Sequence, residues 1–382
     1  MKIGFLAYSP FVLEKYWAQL KDRADCWWGV TQADTAEALR QRGITQVVHC
    51  PDELQFVPDR AGNKYVSADP GRAEREVAAR VDPDCWITDQ TNRLTHAPKS
   101  CLWVQTFHGL CYKKHTFHPL TREYDLLLLP GEYHRREFVR RLGFTGNDPR
   151  LQVVGWPRTD DLCRGDFDRA AVLRELDLDP ARPTVLFAPT WGGYARDATR
   201  WGLDLFPRWR GQEAEVFARL CEAVRGEGAN FLVKTHHLSV WSRDAELRAV
   251  AERSGARWLT PGMSNLQIDP NPYLWATDVL ISDLSGVIMD FLALDRPVVY
   301  IDPDPALDAW RDCSIPPEYR AGAVARTPEE LVVGVREGLR DPDRHREARR
   351  RVREAIFQAL DGRAAARAAE AILALARERG VA

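Results

Sequence analysis

The 382-residue sequence has no apolar run near the roughly 18–20 residues that a membrane-spanning helix needs. It lacks the phosphate-binding patterns G-x-x-x-x-G-K-[ST] and G-x-G-x-x-G, the nucleophile elbow G-x-S-x-G and the zinc pair H-E-x-x-H. P-loop hydrolases, dinucleotide dehydrogenases, serine esterases and zinc proteases are therefore disfavoured. There is no excess of either charge: 53 Lys+Arg stand against 55 Asp+Glu, a net −2. Bulk electrostatic attraction to nucleic acid or anionic lipid is thereby excluded, although a local basic face is not. Eight cysteines are present without a C-x-x-C pair or Cys/His metal spacing. They read as reduced, mostly buried small residues. The opening MKIGFLAYSPFVLEKYW carries Lys15 and no small-residue cleavage site, so it reads as a buried first strand and not as an export signal. A cytoplasmic protein is expected.

What is present is a chain of 45% hydrophobic and 28% charged residues, long enough for two or three domains. Short apolar runs alternate with helical segments from end to end, the pattern of parallel sheets covered by helices. Strands are expected at Ile3–Ala7, Gln46–His49, Cys85–Asp89, Cys101–Phe107, Asp125–Leu129 and Leu151–Val154, with helices at Ala33–Arg42, Arg72–Val81 and Tyr133–Leu142. After Gly155-Trp156-Pro157 the pattern restarts. Strands are expected at Thr184–Ala188, Asn230–Lys234, Val279–Ser282 and Val298–Ile301, and helices at Ala170–Leu176, Glu213–Arg225, Asp244–Ser254 and from Thr327 onward. The fold class is thus α/β, with two Rossmann-like domains facing a central cleft. They span residues 1–155 and 156–350, and helices over 351–382 pack back across them.

In open α/β sheets ligands sit beyond the carboxyl ends of the strands, so the residues just after each strand are the candidates. His108-Gly109 follows CLWVQTF, where a histidine with a reference pKa of about 6.5 suits a general base. A hydrogen-bonded loop histidine is the competing reading. Pro189 and Thr190 follow VLFA, where a hydroxyl and the small residues after it permit close backbone approach. The stretch from Tyr194 to Arg210 reads as a loop of aromatic and Arg side chains over the cleft. Lys234-Thr235-His236-His237 ends the next strand as a cationic, donor-rich cluster suited to a diphosphate. Adjacent histidines on a strand point to opposite faces, so a shared metal is disfavoured. In DVLISDLSGVIMDFLALDRPVVYID, Ser285 and Gly286 fall at a helix start, where free N–H groups favour an anion; ordinary capping is the plain alternative. Asp290, on so apolar a helix, calls for a ligand hydroxyl or a neighbouring cation. The Arg-rich run DRHREARRRVREAIFQAL reads as a solvated helix face, with contact to anionic lipid as the alternative.

Taken in order, TFHGLCYKKH, VVGWPRTDDL, VLFAPTW, FLVKTHHLS, ISDLSGVIMDFLALDRPVVYID and ALDGRAAARAAEAI resemble the conserved segments of the CDP-glycerol glycerophosphotransferase family of teichoic-acid and capsule polymerases and primases. The likeness spans roughly residues 100–380. It implies a GT-B fold and metal-independent transfer of a polyol phosphate from a CDP-activated donor. It implies His108 as base on the acceptor side, and Arg158, Pro189, Thr190, Lys234, Thr235, Ser285, Gly286 and Asp290 around the donor. It further implies that His236, with Lys234, stabilises the diphosphate as CMP leaves. A lipid-linked or oligosaccharide acceptor, and with it peripheral contact at the inner face of the membrane, comes with the same resemblance; nucleic acid does not. Departures are Leu284-Ser285-Gly286 for Tyr-Ser-Ser, Lys234 for Arg, and Leu110-Cys111 for Thr-Pro. CDP-ribitol, another polyol or a nucleotide sugar would fit the same cleft. A nucleotide-sugar GT-B glycosyltransferase or 2-epimerase-like enzyme is the alternative, and a non-catalytic nucleotide-binding protein the second.

Overall fold

The computed structural model describes residues 1–6, 10–51, 54–59, 62–67, 71–89, 101–109, 114–189, 209, 212–235, 245–259, 269–283, 285–302 and 316–381. The first domain holds a seven-stranded parallel sheet in the order β3-β2-β1-β6-β7-β8-β9. Its strands are β1 (Lys2–Leu6), β2 (Asp25–Val30), β3 (Val47–His49), β6 (Cys85–Thr88), β7 (Leu102–Gln105), β8 (Leu126–Leu129) and β9 (Leu151–Val153). An antiparallel hairpin, β4 (Leu54–Asp59) with β5 (Gly62–Ser67), stands apart from it. The domain's helices are α1 (Pro10–Leu20), α2 (Ala33–Gln41), α3 (Arg72–Val81) and α4 (Glu132–Leu142).

The second domain begins with the short helices α5 (Asp160–Arg164) and α6 (Arg169–Glu175). Its six-stranded parallel sheet runs β12-β11-β10-β13-β14-β15. The strands are β10 (Thr184–Phe187), β11 (Asn230–Lys234), β12 (Arg257–Leu259), β13 (Val279–Ser282), β14 (Val298–Ile301) and β15 (Ala323–Ala325). Helices α7 (Glu213–Gly226), α8 (Ala245–Ser254), α9 (Asn271–Ala276), α10 (Val287–Leu292) and α11 (Pro328–Arg340) cover it. Two more follow, α12 (Arg346–Ile356) and α13 (Ala364–Glu378).

The inner strands are apolar throughout because helices cover both faces of each sheet. On one face of the first sheet Ile3, Phe5, Trp28, Val104 and Leu126 pack with α1 and, from the far end of the sequence, Ala368, Ala369, Ile372 and Leu373. On the other, Trp86, Trp103, Leu127 and Leu129 pack with α3 and Phe138 of α4. Some of the chain's 13 tryptophans go into these layers. Trp28 stacks on Phe5 at 5.1 Å, and Trp86 on Trp103 at 6.1 Å. Trp86 lies across Gly4, where a Cβ would collide with its ring. Cys26, Cys85 and Cys221 are free thiols, and burial raises the pKa of each of them and of Cys101, which keeps them unreactive.

The crossing between domains is tied at several points. The Asp160 carboxylate accepts from the N–H groups of Ala364 and Ala365 at 3.0 and 2.8 Å, capping α13. Arg367 donates to the Val154 carbonyl at 2.7 Å. The Gln358 N–H donates to the Pro130 carbonyl at 2.9 Å, and a Cβ at Gly131 would strike the Ile356 carbonyl. Lys15 of α1 bonds Asp161 and, at 3.0 Å, Asp269. On the Arg-rich α12, Arg349 turns inward to Asp295 at 2.9 Å, while Arg350 sits between Glu347 and Glu354 at 2.6 and 2.8 Å.

Candidate functional site

Both sheets change winding direction between neighbouring strands, β1/β6 in the first and β10/β13 in the second. At such a switch the loops diverge and leave a crevice above the carboxyl ends. Beyond β7, in the first domain, the backbone turns sharply: Phe107 has φ of +60°, an uncommon conformation for a bulky residue. The turn is held from both sides, by the Gln105 side chain accepting from the Phe107 N–H at 2.7 Å and by the ring packing on Phe138 at 5.7 Å. It delivers His108 to the crevice, half-buried, with Nδ1 3.0 Å from the carbonyl oxygen of Asp89 at the end of β6. A carbonyl only accepts, so Nδ1 carries a hydrogen, and in the neutral ring the lone pair is on Nε2. That tautomer is the one a general base needs.

In the second domain three neighbouring strands end at the switch. β11 ends at Lys234 and the buried Thr235, β10 leads into the buried Pro189, and β13 leads into Asp283 and the half-buried Ser285. Ser282 Oγ donates to the Ala188 carbonyl at 2.6 Å and pins β10 to β13 at that edge. Burial, assisted by the Arg158 charge, lowers the Lys234 pKa to about 8. A half-buried ammonium with a guanidinium nearby gains from an arriving anion, which restores its preference for the charged form. Ser285 and Gly286 precede α10, whose six residues form a short helix; among the described residues nothing lies within 4 Å of a Cβ built at Gly286.

Between the two strand-end clusters runs Trp156-Pro157-Arg158, a 3-10 turn entering the second domain. The Arg158 side chain is 11% exposed and the Asp290 side chain 1%, and they pair at 2.6 Å. The Trp156 indole donates to the other Asp290 oxygen at 2.7 Å. Arg158 Nη1 donates to the His108 carbonyl at 2.6 Å, its own carbonyl accepts from Asn271 Nδ2 at 2.6 Å, and its guanidinium lies 5.2 Å from the Phe11 ring of α1. Burial pushes the Asp290 carboxyl up, and Arg158 opposes this. The cation that Asp290 calls for in the sequence is therefore Arg158.

His108, Arg158, Pro189, Lys234, Thr235, Ser285, Gly286 and Asp290 all lie at or beneath this crevice. Thr190, His236 and the stretch from Tyr194 to Arg208 lie outside the described residues. Sequence reading missed Asp89, which sets the His108 tautomer, and Trp156, Asn271 and Phe11, which surround Arg158. Only Trp156 carried a signal, since it lies inside the GWPRTDD segment next to Arg158. Among the described residues no group of three His, Cys, Asp or Glu side chains is arranged to hold a metal ion, and no helix is long and apolar enough to cross a membrane.

Among curated proteins the chain resembles the teichoic acid poly(glycerol phosphate) polymerase of Bacillus subtilis (strain 168), 23% identical over 239 residues. It resembles that of Bacillus spizizenii to the same degree over 259 residues. The alignments take in 56% and 59% of this chain but only 29% and 58% of those proteins, so the chain spans less than two thirds of either. Among solved structures it superposes on the wall teichoic acid polymerase TagF with a TM-score of 0.68 at 18% identity, over 99% of this chain and 89% of that one. A TagF crystal soaked with CDPG gives 0.66 at 18% identity, with the same coverage. The UDP-GlcNAc 2-epimerase of Neisseria meningitidis bound to UDP-GlcNAc gives 0.59 at 12% identity, over 98% and 100% of the chains. The fold is GT-B. Residues 9–374 match the family model, and the chain belongs to the CDP-glycerol:poly(glycerophosphate) glycerophosphotransferase family.

Proposed function

We propose that the protein moves a polyol phosphate, glycerol phosphate first among the candidates, from a CDP-activated donor to a hydroxyl of a lipid-linked or oligosaccharide acceptor. The supporting observation is the contact of His108 Nδ1 with the Asp89 carbonyl, which orients the ring on the first-domain side of a crevice whose other side carries Lys234. Nε2 takes the proton of the acceptor hydroxyl as the oxygen attacks the polyol-bearing phosphorus. The bond from that phosphorus to the bridging oxygen breaks, and CMP leaves with the charge that Lys234, and by family likeness His236, stabilise. Pro189, Thr235, Ser285 and Gly286 line the donor side, and family likeness adds Thr190, with backbone N–H groups near Ser285 offered to phosphate. No metal enters these steps, so turnover is expected to survive a chelator.

The test is CMP release from CDP-glycerol with a glycerol-phosphate-primed lipid acceptor, beside a thermal-shift panel of CDP, CMP, UDP, GDP, CDP-glycerol and CDP-ribitol. Stabilisation by the cytidine compounds, with His108→Ala abolishing transfer while retaining CDP binding, is expected. Near-normal transfer by His108→Ala removes the base assignment. Stabilisation by UDP alone favours a nucleotide-sugar reaction on the same fold, the reading that the epimerase superposition supports. A flat panel favours a non-catalytic protein.

A further inference from the structure

The Arg158 side chain touches both the base loop of the first domain and the donor-side helix α10 of the second. One nitrogen of its fork donates to the His108 carbonyl at 2.6 Å; another meets Asp290 at 2.6 Å. The arginine is itself fixed, by Asn271 on its backbone and Phe11 beneath its guanidinium, and Asp290 is fixed by the Trp156 indole at 2.7 Å. Asp290 is almost wholly buried, which removes it from any surface a donor could reach. A planar fork with two fixed partners transmits position, which an ammonium with one point of charge does not.

We propose that Arg158 is a positioning residue, a strut that sets the His108 base at a fixed distance from the donor half of the crevice, with Asp290 as its anchor and not as a donor ligand. This rests on the transfer reading above. Loss of the strut leaves both half-sites built but lets the base loop drift, and a misplacement near 1 Å costs about 100-fold in rate.

The experiment compares wild type, His108→Ala, Arg158→Lys, Arg158→Met and the pair Arg158→Met with Asp290→Asn. It measures CMP release from CDP-glycerol with a glycerol-phosphate-primed lipid acceptor, CDP affinity by calorimetry, and Tm. Arg158→Met strands a buried carboxylate and is expected to lower Tm. The double variant removes both charges, keeps an acceptor for the Trp156 indole, and is expected to recover Tm. Its CDP affinity is expected to match wild type while kcat stays about 100-fold down, with partial rescue in Arg158→Lys. Recovery of kcat together with Tm makes the pair merely structural and overturns the proposal. CDP affinity falling in step with kcat makes Arg158 a donor ligand and overturns it as well. A wild type that releases no CMP overturns the transfer reading and the strut together. An active wild type, silenced by His108→Ala but indifferent to Arg158, overturns the strut alone.

Discussion

Lys234 is the residue whose chemistry is most exposed to pH. Its ammonium is disfavoured by burial and by Arg158, so it titrates at about 8 instead of 10.5. A diphosphate wants the charged form, so CDP affinity is expected to hold below pH 8 and to fall as pH rises through that value. Titration calorimetry from pH 6.5 to 9.5 checks this, and Lys234→Arg is expected to flatten the profile because a guanidinium stays charged. The same residue pulls apo-protein stability the other way. Between pH 8 and 10.5 the unfolded chain binds a proton that the folded one does not, so the Lys234 contribution to stability rises with pH. His108 and Lys234 were legible in the sequence because strand ends are where α/β sheets place ligands. Asp89 was not, because the group that meets His108 is its backbone oxygen, and a carbonyl carries no residue signature. Asn271 and Phe11 meet Arg158 across long stretches of chain, which no local pattern encodes.

The helix α13 owes its start to Asp160. Two N–H groups of its first turn find their acceptor in a carboxylate from the other side of the domain crossing. Asp160→Ala removes both bonds and is expected to lower stability by about 1–2 kcal/mol, read as a drop in Tm. Asp160→Asn, which keeps one acceptor oxygen, is expected to lose less. This gives the Asp of GWPRTDD a structural task beside the arginine's. Among the elements, fully buried parallel strands such as LLLL and TVLF were readable as bare apolar runs, within a residue or two of their bounds. Strand β2, DCWWGV, was missed because its charge and paired tryptophans mimic no simple period. Helix α1, PFVLEKYWAQL, hid because apolar residues surround it on most sides. The three-residue edge strands β12 and β15 are too short for any periodicity to register.

At the scale of the molecule, the two sheets were foreseeable from the restart of the pattern after residue 156, whereas the dependence of one domain on the other's end was visible only in packing. Ile372 is 1% exposed and lies in the core of the first sheet. Ile372→Ala is expected to cost about 2–5 kcal/mol and to lower the unfolding midpoint of the first domain selectively. Amide hydrogen exchange in β1 and β6 together with calorimetry reads that domain. A second-domain transition that moves equally would refute the selectivity. The Lys15 bridge to Asp161 and Asp269 ties the same two bodies from the other side of the crossing. Because those side chains are partly exposed, added salt is expected to loosen it, seen as a lower first-domain midpoint in wild type but not in Lys15→Met.

The seating of α13 on the first sheet fixes an order of events during translation. The strands around β1 leave the ribosome before α13, and the face of their sheet that α1 partly covers lacks the rest of its cover until Ala368–Ala376 has emerged, after the whole second domain. Contacts of such sequence separation form slowly, so the part of that face left open by α1 is expected to stay exposed for most of synthesis. The domain made first is thus the domain finished last, and a nascent chain stalled anywhere before residue 364 would present a sticky half-core to the cell.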